Sequence, residues 1–141
     1  MEDKKIAVSA CLLGVNCKYN GNNNLNFKVL NYLKGKEVTL ICPEELGGLP
    51  TPRIPSEIQK NGSVINEKRQ DVTENFYLGA QKALEIISEA SCTAVILKDG
   101  SPSCGYKNVY DGSFNGVRVS GLGIAARYLK ENGIKIIDLE T

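Results

Sequence analysis

Three of the five cysteines in this chain sit in loops whose composition favours tight turns. Cys11 precedes Leu-Leu-Gly, Cys42 precedes Pro-Glu-Glu, and Cys104 is the last residue of Ser-Pro-Ser-Cys. Thiolates bind soft metals and act as nucleophiles, so three thiols held in one place indicate metal or redox chemistry. Glu44 and Glu45 follow Cys42 so closely that either carboxylate can supply an acid–base group beside that thiol.

The composition narrows the class of protein. Lys and Arg number 17 against 16 for Asp and Glu, which argues against a strongly basic nucleic-acid surface or membrane patch. Histidine is absent, so acid–base work falls to carboxylates, Lys, Tyr or Cys. An odd number of cysteines without a C-x-x-C pair argues against a secreted disulfide framework. Because no apolar run approaches the ~20 residues of a membrane span, we expect a mature cytoplasmic protein.

Strands and helices alternate along the chain. The predicted strands are Ile6–Ala10, Glu37–Ile41, Thr93–Leu97 and Ile134–Ile137, with a small edge strand at Ser63–Asn66. The predicted helices are Leu25–Lys34, a long helix to Ala90 with Thr73 as its N-cap, and Gly121–Asn132 with Gly133 at the C′ position. Apolar strands without alternation favour burial on both faces of a sheet. We therefore predict an α/β fold: a single three-layer domain over residues 1–141 with a mainly parallel, Rossmann-like sheet.

A parallel sheet would bring three of the thiols together. Ligands of such sheets bind outside the carboxyl ends of the strands, and Cys11, Cys42 and Cys104 all follow predicted strands. These three are the candidate metal and cofactor ligands. Cys92 precedes a strand, at the opposite end, and reads as a core residue. Cys17 lies in the first loop and could reach the site, but its polar neighbours lead us to expect that it is exposed.

Three thiolates without histidine select a soft, sulfur-binding metal. A structural zinc site normally has four ligands. A cubane iron–sulfur cluster also takes four cysteines, so three would leave one iron with an open position and Lewis-acid character. One of the two carboxylates after Pro43 is then the natural acid–base group, and the hydroxyls of Ser101 and Ser103 can orient a polar substrate by hydrogen bonds.

Several motifs together resemble one enzyme family over nearly the whole chain. These are Ser9-Ala-Cys-Leu-Leu-Gly14, Cys42-Pro-Glu-Glu-Leu-Gly-Gly-Leu-Pro-Thr-Pro-Arg53 with Glu57-Ile58, Asp71-Val-Thr73, Ser101-Pro-Ser-Cys-Gly105 and Tyr110-Asp-Gly112. Three separate cysteine motifs match in order. The chain thereby resembles the thiouracil desulfidases, a family of single-domain bacterial enzymes.

The resemblance implies roles for particular residues. Cys11, Cys42 and Cys104 would hold a [4Fe–4S] cluster whose fourth iron takes the sulfur of a thiolated pyrimidine. Glu44 and Ser101 would be catalytic. The family pattern has aspartate where this chain has Asn20. Asn20 and Ser103 are the candidate substrate contacts.

The implied reaction is a non-redox desulfuration of thiouracil or thio-UMP to uracil or UMP, with release of hydrosulfide. The partner would be a small thiolated base or nucleotide, with no nucleic-acid polymer and no membrane, and the protein would be a monomer. Two other hypotheses stay open on the sequence. A non-enzymatic iron–sulfur or zinc-binding module explains the cysteines but not Glu44 and Ser101. A thiol-redox protein using Cys11 and Cys17 leaves Cys42 and Cys104 unexplained.

Overall fold

The computed structural model describes residues 3–141, which form eight short strands and four α-helices. The strands are β1 (Lys5–Ser9), β2 (Glu37–Ile41), β3 (Ser56–Ile58), β4 (Val64–Asn66), β5 (Ala94–Ile96), β6 (Asn108–Tyr110), β7 (Arg118–Ser120) and β8 (Lys135–Ile136). The helices are α1 (Phe27–Tyr32), α2 (Pro43–Leu46), α3 (Thr73–Glu89) and α4 (Ile124–Glu131). Within the described part of the chain, no helix is both long and apolar enough to cross a bilayer.

The central sheet has four strands in the order β2-β1-β5-β8, and every pair of neighbours is parallel. Its side chains divide between two cores. Ala7 and Val95 face α3 and α4, whereas Ile6, Val8 and Ile96 face α1 and the C-terminal segment. This alternation leaves the middle strands apolar on both faces, as parallel sheets covered by helices require. The predicted α/β class with a mainly parallel sheet is confirmed.

The expectation that the second predicted strand is buried is wrong. β2 is an edge strand, and Val38 and Leu40 remain 38% and 45% exposed. The short helix α1 inserts Val29 into the core formed with β1 and β5, and it leaves this face of β2 uncovered. Only Ile41, at the carboxyl end of β2, is fully buried, on the opposite face.

Two antiparallel hairpins lie outside the central sheet. β3 pairs with β4, and β6 pairs with β7. The sequence predicted a small strand at Ser63–Asn66, but it predicted no strand at the positions of β6 and β7. Strands of three residues on the surface, such as the exposed β7, bury too little for an apolar pattern to reveal them.

The ends of the long helices differ from the prediction in detail. Val72, not Thr73, occupies the N-cap position of α3. The Thr73 hydroxyl instead accepts a hydrogen bond from the Val64 N–H at 2.9 Å and lies 2.6 Å from Asp71 Oδ1, so it ties the helix to β4. At the end of α4, Gly133 takes the left-handed backbone conformation (φ +85°) that was predicted for the C′ position.

Two glycines let α2 rest directly on α3. A Cβ added to Gly79 would lie 1.8 Å from the Pro43 carbonyl oxygen, and one added to Gly47 would lie 2.0 Å from the Asn75 carbonyl oxygen. Backbone therefore meets backbone where these helices cross. This contact fixes the distance of α2 from α3, and with it the position of Cys42 at the N-cap of α2.

We expect Gly79→Ala to destabilise the protein, although alanine is normally more favourable than glycine in a helix interior by about 1 kcal/mol. The added methyl group collides with the Pro43 carbonyl, and the backbone shift should cost about 1–3 kcal/mol as an overpacking effect. Urea unfolding measures this change. Gln81→Ala, at an exposed position of the same helix, is the control that should change stability little. A stabilised Gly79→Ala variant would contradict the contact.

Candidate active site

A cavity of about 490 Å³ opens where β1, β2 and β5 end. Its lining includes Cys11, Cys42 and Cys104, together with Glu44 and Ser101. Because all these strands run in one direction, the segments that follow them meet at the same edge of the sheet. The structure thus brings the three predicted thiols, the predicted acid–base group and the predicted catalytic serine to one site.

Cys11 lies in a turn of 3-10 helix, Ala10–Leu13, that follows β1 directly. Gly14 closes this turn with φ +92°, a left-handed conformation that suits glycine. The long polar loop then folds back: Asn24 donates its backbone N–H to the Cys11 carbonyl at 2.9 Å and its side-chain amide to the Cys11 sulfur at 3.4 Å. The thiol is therefore held in place at the cavity wall while remaining partly accessible.

The expectation that Cys17 is exposed is wrong. Its side chain is only 3% exposed, lines the cavity, and hydrogen-bonds to the thiols of both Cys11 and Cys42. The hydrogen bond from Cys17 lowers the pKa of Cys11 to about 7, and a second one lowers the pKa of Cys42. The pKa of Cys17 itself is raised by these same contacts. Its polar neighbours in sequence suggested exposure, but one of them, Lys18, lines the same cavity.

Cys104 is buried, and burial raises its pKa to about 12. The Ser9 hydroxyl lies 3.5 Å from its sulfur and can donate to it, and the Ser103 oxygen lies 3.6 Å away. Ser9, the last residue of β1, also accepts the Lys98 N–H at 3.1 Å. The third thiol is thus enclosed by donors and is ready to be stabilised as a thiolate by a bound metal. Cys92, as expected, is a buried core residue away from the cavity.

Glu44 is the carboxylate that faces the cavity. Its Oε1 accepts from Arg53 Nε at 2.9 Å, and its Oε2 accepts from the Ser103 hydroxyl at 2.8 Å. Glu45 is exposed, does not line the cavity, and accepts instead from the Thr51 hydroxyl. Adjacent residues of a helix point about 100° apart, so only one of the two can face the site.

The Ser-Pro-Ser turn connects the third thiol to Glu44. Ser101 Oγ accepts the Cys104 backbone N–H at 2.7 Å and lies 3.1 Å from Ser103 Oγ. Ser103 in turn donates to Glu44. Ser101 lines the cavity and is half-buried, whereas Ser103 is buried. The two hydroxyls therefore form a continuous hydrogen-bonded path from the cavity to the carboxylate.

Asp99 supports this turn from behind. Its Oδ1 accepts the backbone N–H groups of Tyr106, Lys107 and Asn108 at 2.9–3.0 Å. Burial would raise the pKa of Asp99, but these backbone hydrogen bonds outweigh it and hold the pKa at about 2. The sequence offered no sign of this role, since the donors come from the segment beyond the cysteine.

Asn20 lies in a turn of the first loop, and it is not among the residues that line the cavity. Its side-chain oxygen accepts the Asn22 N–H at 3.0 Å. A contact between Asn20 and substrate stays a prediction. Glu57, for which the sequence suggested no role, also lines the cavity. Its Oε1 accepts hydrogen bonds from the backbone N–H groups of Gly112 and Phe114. It thereby ties the β6–β7 hairpin to the site.

The donor set suits an iron–sulfur cluster. The thiolates of a cubane bind different irons and need not share a point, so thiols spread around one cavity suit such a cluster. Among residues 3–141, no group of three or more Cys, Asp or Glu side chains has the arrangement of a single-ion site.

The fold and the site together define a parallel α/β domain with a thiol-lined cavity at the strand ends. Comparison with known proteins gives the family: the model of the 2-thiouracil desulfurase family matches residues 6–141, and the chain belongs to this family. The predicted family is confirmed.

Two relatives cover nearly the whole chain. Uncharacterized protein YbbK of Bacillus subtilis (strain 168) is 40% identical over an alignment 141 positions long, which covers 94% of this chain and 93% of YbbK. Among solved structures, the [4Fe-4S]-dependent thiouracil desulfidase TudS superposes with a TM-score of 0.88 at 38% identity, covering 97% of this chain and 91% of that chain.

We predict that Asp99 contributes stability that is lost in acid. Its folded pKa of about 2 lies below the ordinary 3.8, so the contribution is complete above about pH 5 and is mostly lost as the pH falls towards 2. At neutral pH it should amount to about 2 kcal/mol. The measurement is the difference in unfolding free energy between wild type and Asp99→Asn across this range. A difference that does not shrink between pH 4 and 2 would contradict the role assigned to this carboxylate.

Proposed function

We propose that this chain is a [4Fe–4S]-dependent enzyme that removes sulfur from a thiolated pyrimidine by hydrolysis, giving uracil or UMP and hydrosulfide. The observation that carries the proposal is the path of hydrogen bonds from Ser101 through Ser103 to Glu44 in a cavity also lined by three strand-end thiols. Membership of the 2-thiouracil desulfurase family and the likeness to TudS support it. A metal-binding module would have no use for this carboxylate and its two hydroxyls.

Cys11, Cys42 and Cys104 would hold the cluster. When bound by three thiolates, a cubane leaves one iron free to act as a Lewis acid on the sulfur of the substrate. Lys98, which is half-buried, and Arg118 also line the cavity and add positive charge near these thiolates. Burial and the charge of Arg118 lower the pKa of Lys98, and the negative charge of Cys11 opposes this shift.

The protein's own side chains would accept the proton of the attacking water. Ser103 donates to Glu44, so its oxygen is free to accept from the Ser101 hydroxyl. A water hydrogen-bonded to Ser101 Oγ can pass its proton along the two hydroxyls to Glu44, which acts as the general base. The water oxygen bonds to the thiocarbonyl carbon, the C–S bond breaks, and sulfur leaves as hydrosulfide. One water is consumed, and no electron is gained or lost overall.

The cavity suits a small substrate. Its volume of about 490 Å³ lies in the range of about 300–1,000 Å³ that is usual for small-molecule sites. The near-neutral net charge of +1 favours a free base or nucleotide over a nucleic-acid polymer. The sequence supports the further proposals of a bacterial, cytoplasmic, monomeric protein whose residues 1–141 form a single domain.

The proposed ligand set predicts that three of the five cysteines are required for cluster binding and that the other two are not. We expect Cys11→Ser, Cys42→Ser and Cys104→Ser each to lower iron and sulfide content sharply after anaerobic reconstitution. Cys17→Ser should keep both near the wild-type level, since a hydroxyl can still donate to the neighbouring sulfurs. Cys92→Ser serves as the control for loss of a buried thiol outside the cavity. If Cys17→Ser abolishes the visible absorbance of the cluster, the three-thiolate set is wrong.

The reconstituted protein should release hydrosulfide from a thiouracil or a thiouridine monophosphate. Glu44→Gln removes the titratable oxygen but keeps the shape, and we expect a loss of activity on the order of 10²–10⁴ with the cluster retained. Ser101→Ala should also lose activity and keep its iron. Hydrosulfide release and the change in substrate absorbance measure the rates.

Glu45→Gln is the matched control, because this neighbouring carboxylate lies outside the cavity lining and should change activity little. A protein with full iron and sulfide that acts on no thiopyrimidine base, nucleoside or nucleotide would overturn the enzyme proposal. The metal-binding module would then take its place.

A further inference from the structure

Arg53 is the last residue of the long Pro/Gly motif, and the proposed reaction gives it no role. Its side chain is only 7% exposed. Nε binds Glu44 Oε1 at 2.9 Å, and Nη2 binds the carbonyl oxygen of Cys17 at 2.8 Å. Nη1 binds the Pro50 carbonyl and the Thr51 hydroxyl at 3.2 Å and 2.8 Å. All three nitrogens of the guanidinium are therefore engaged by protein atoms.

Arg53 also joins two walls of the cavity. Glu44 belongs to α2, which follows β2, whereas Cys17 belongs to the loop that follows β1. The backbone N–H of Arg53 binds the Tyr19 carbonyl at 2.7 Å, so both its main chain and its side chain hold that loop. One residue thus sets the position of the carboxylate relative to the segment that carries the fourth thiol.

The side chains of the ion pair Arg53 and Glu44 are largely shielded from solvent. The Glu44 side chain is 13% exposed, so a charge on either residue needs the other as its partner. With Oε1 occupied by Nε, only Oε2 remains for Ser103. The ion pair therefore selects which oxygen of the carboxylate continues the path to Ser101.

We propose that Arg53 is a positioning residue of the reaction: it holds Glu44 with Oε2 turned to Ser103 and locks this carboxylate to the loop of Cys17. It acts through Glu44, and four of its five guanidinium N–H groups are already bound to protein atoms. The inference rests on the proposed function. A residue that merely stabilised the fold would affect the site whether or not Glu44 retained its carboxylate.

A double-mutant cycle separates the two roles. We expect Arg53→Met to lower kcat by about 10- to 100-fold, the cost of a misplaced catalytic group, with KM changing less than kcat. In the Glu44→Gln background the same substitution should lower the residual kcat by less than about threefold, because there is no general base left to position. Iron and sulfide content should match the wild type in all four proteins.

The second readout does not depend on activity. Under anaerobic conditions we would follow urea unfolding of the reconstituted proteins. Arg53→Met should lower the midpoint more when Glu44 is present than in the Glu44→Gln background, since only a carboxylate is left buried without its partner. Arg53→Lys keeps the charge but not the planar fork, and its kcat should lie between those of wild type and Arg53→Met.

Arg127→Met, at an exposed position of α4, is the matched control and should change neither readout. Equal losses of kcat from Arg53→Met in both backgrounds, or loss of the cluster, would overturn the proposal while wild-type activity stood. A wild type that releases no hydrosulfide would overturn the proposed function, and the positioning role would fall with it. The two failures are therefore distinguishable.

Discussion

The site depends on one constraint: every strand of the central sheet runs in the same direction. The segments after β1, β2 and β5 consequently leave from one edge, and each contributes a thiol or hydroxyl group to the same cavity. The two inner strands need apolar side chains on both faces, because helices or the C-terminal segment cover both of these faces. Chemistry is therefore confined to strand ends, where turns can present side chains without disturbing the core.

Hydrogen bonding then gives the site a single arrangement. From the Cys104 N–H through Ser101, Ser103 and Glu44 to Arg53, each polar group has its partner within the protein. No buried side-chain nitrogen or oxygen among residues 3–141 lacks a hydrogen bond. In a partly dry cavity an unpaired group would be costly, so a fully paired network resists rearrangement. Such rigidity suits groups that must act on a bound molecule without first reorganising.

The sequence revealed the parts of this structure that depend on local pattern. The alternation of apolar strands with helices gave the fold class, and the three cysteine motifs gave both the family and the residues that meet in the cavity. What it missed depends on contacts between distant segments. Cys17 is buried because Arg53, far along the chain, holds its carbonyl. β2 is an edge strand because it pairs only with β1, and pairing order is not written in a strand's composition.

The β6–β7 hairpin has a consequence for how such a cavity can change. Tyr110 and Arg118 line the site from this hairpin, yet its strands pair only with each other and sit outside the central sheet. Glu57 anchors the turn through the backbone N–H groups of Gly112 and Phe114, and Gly112 takes the left-handed conformation (φ +94°) that favours glycine. Arg118 is tied to the rest of the site by its ion pair with Asp99 at 3.7 Å, whereas the Tyr110 ring contacts Arg118 of the same hairpin. A substitution at Tyr110 would therefore alter one wall of the cavity without altering the pairing of the sheet whose strand ends carry the thiols.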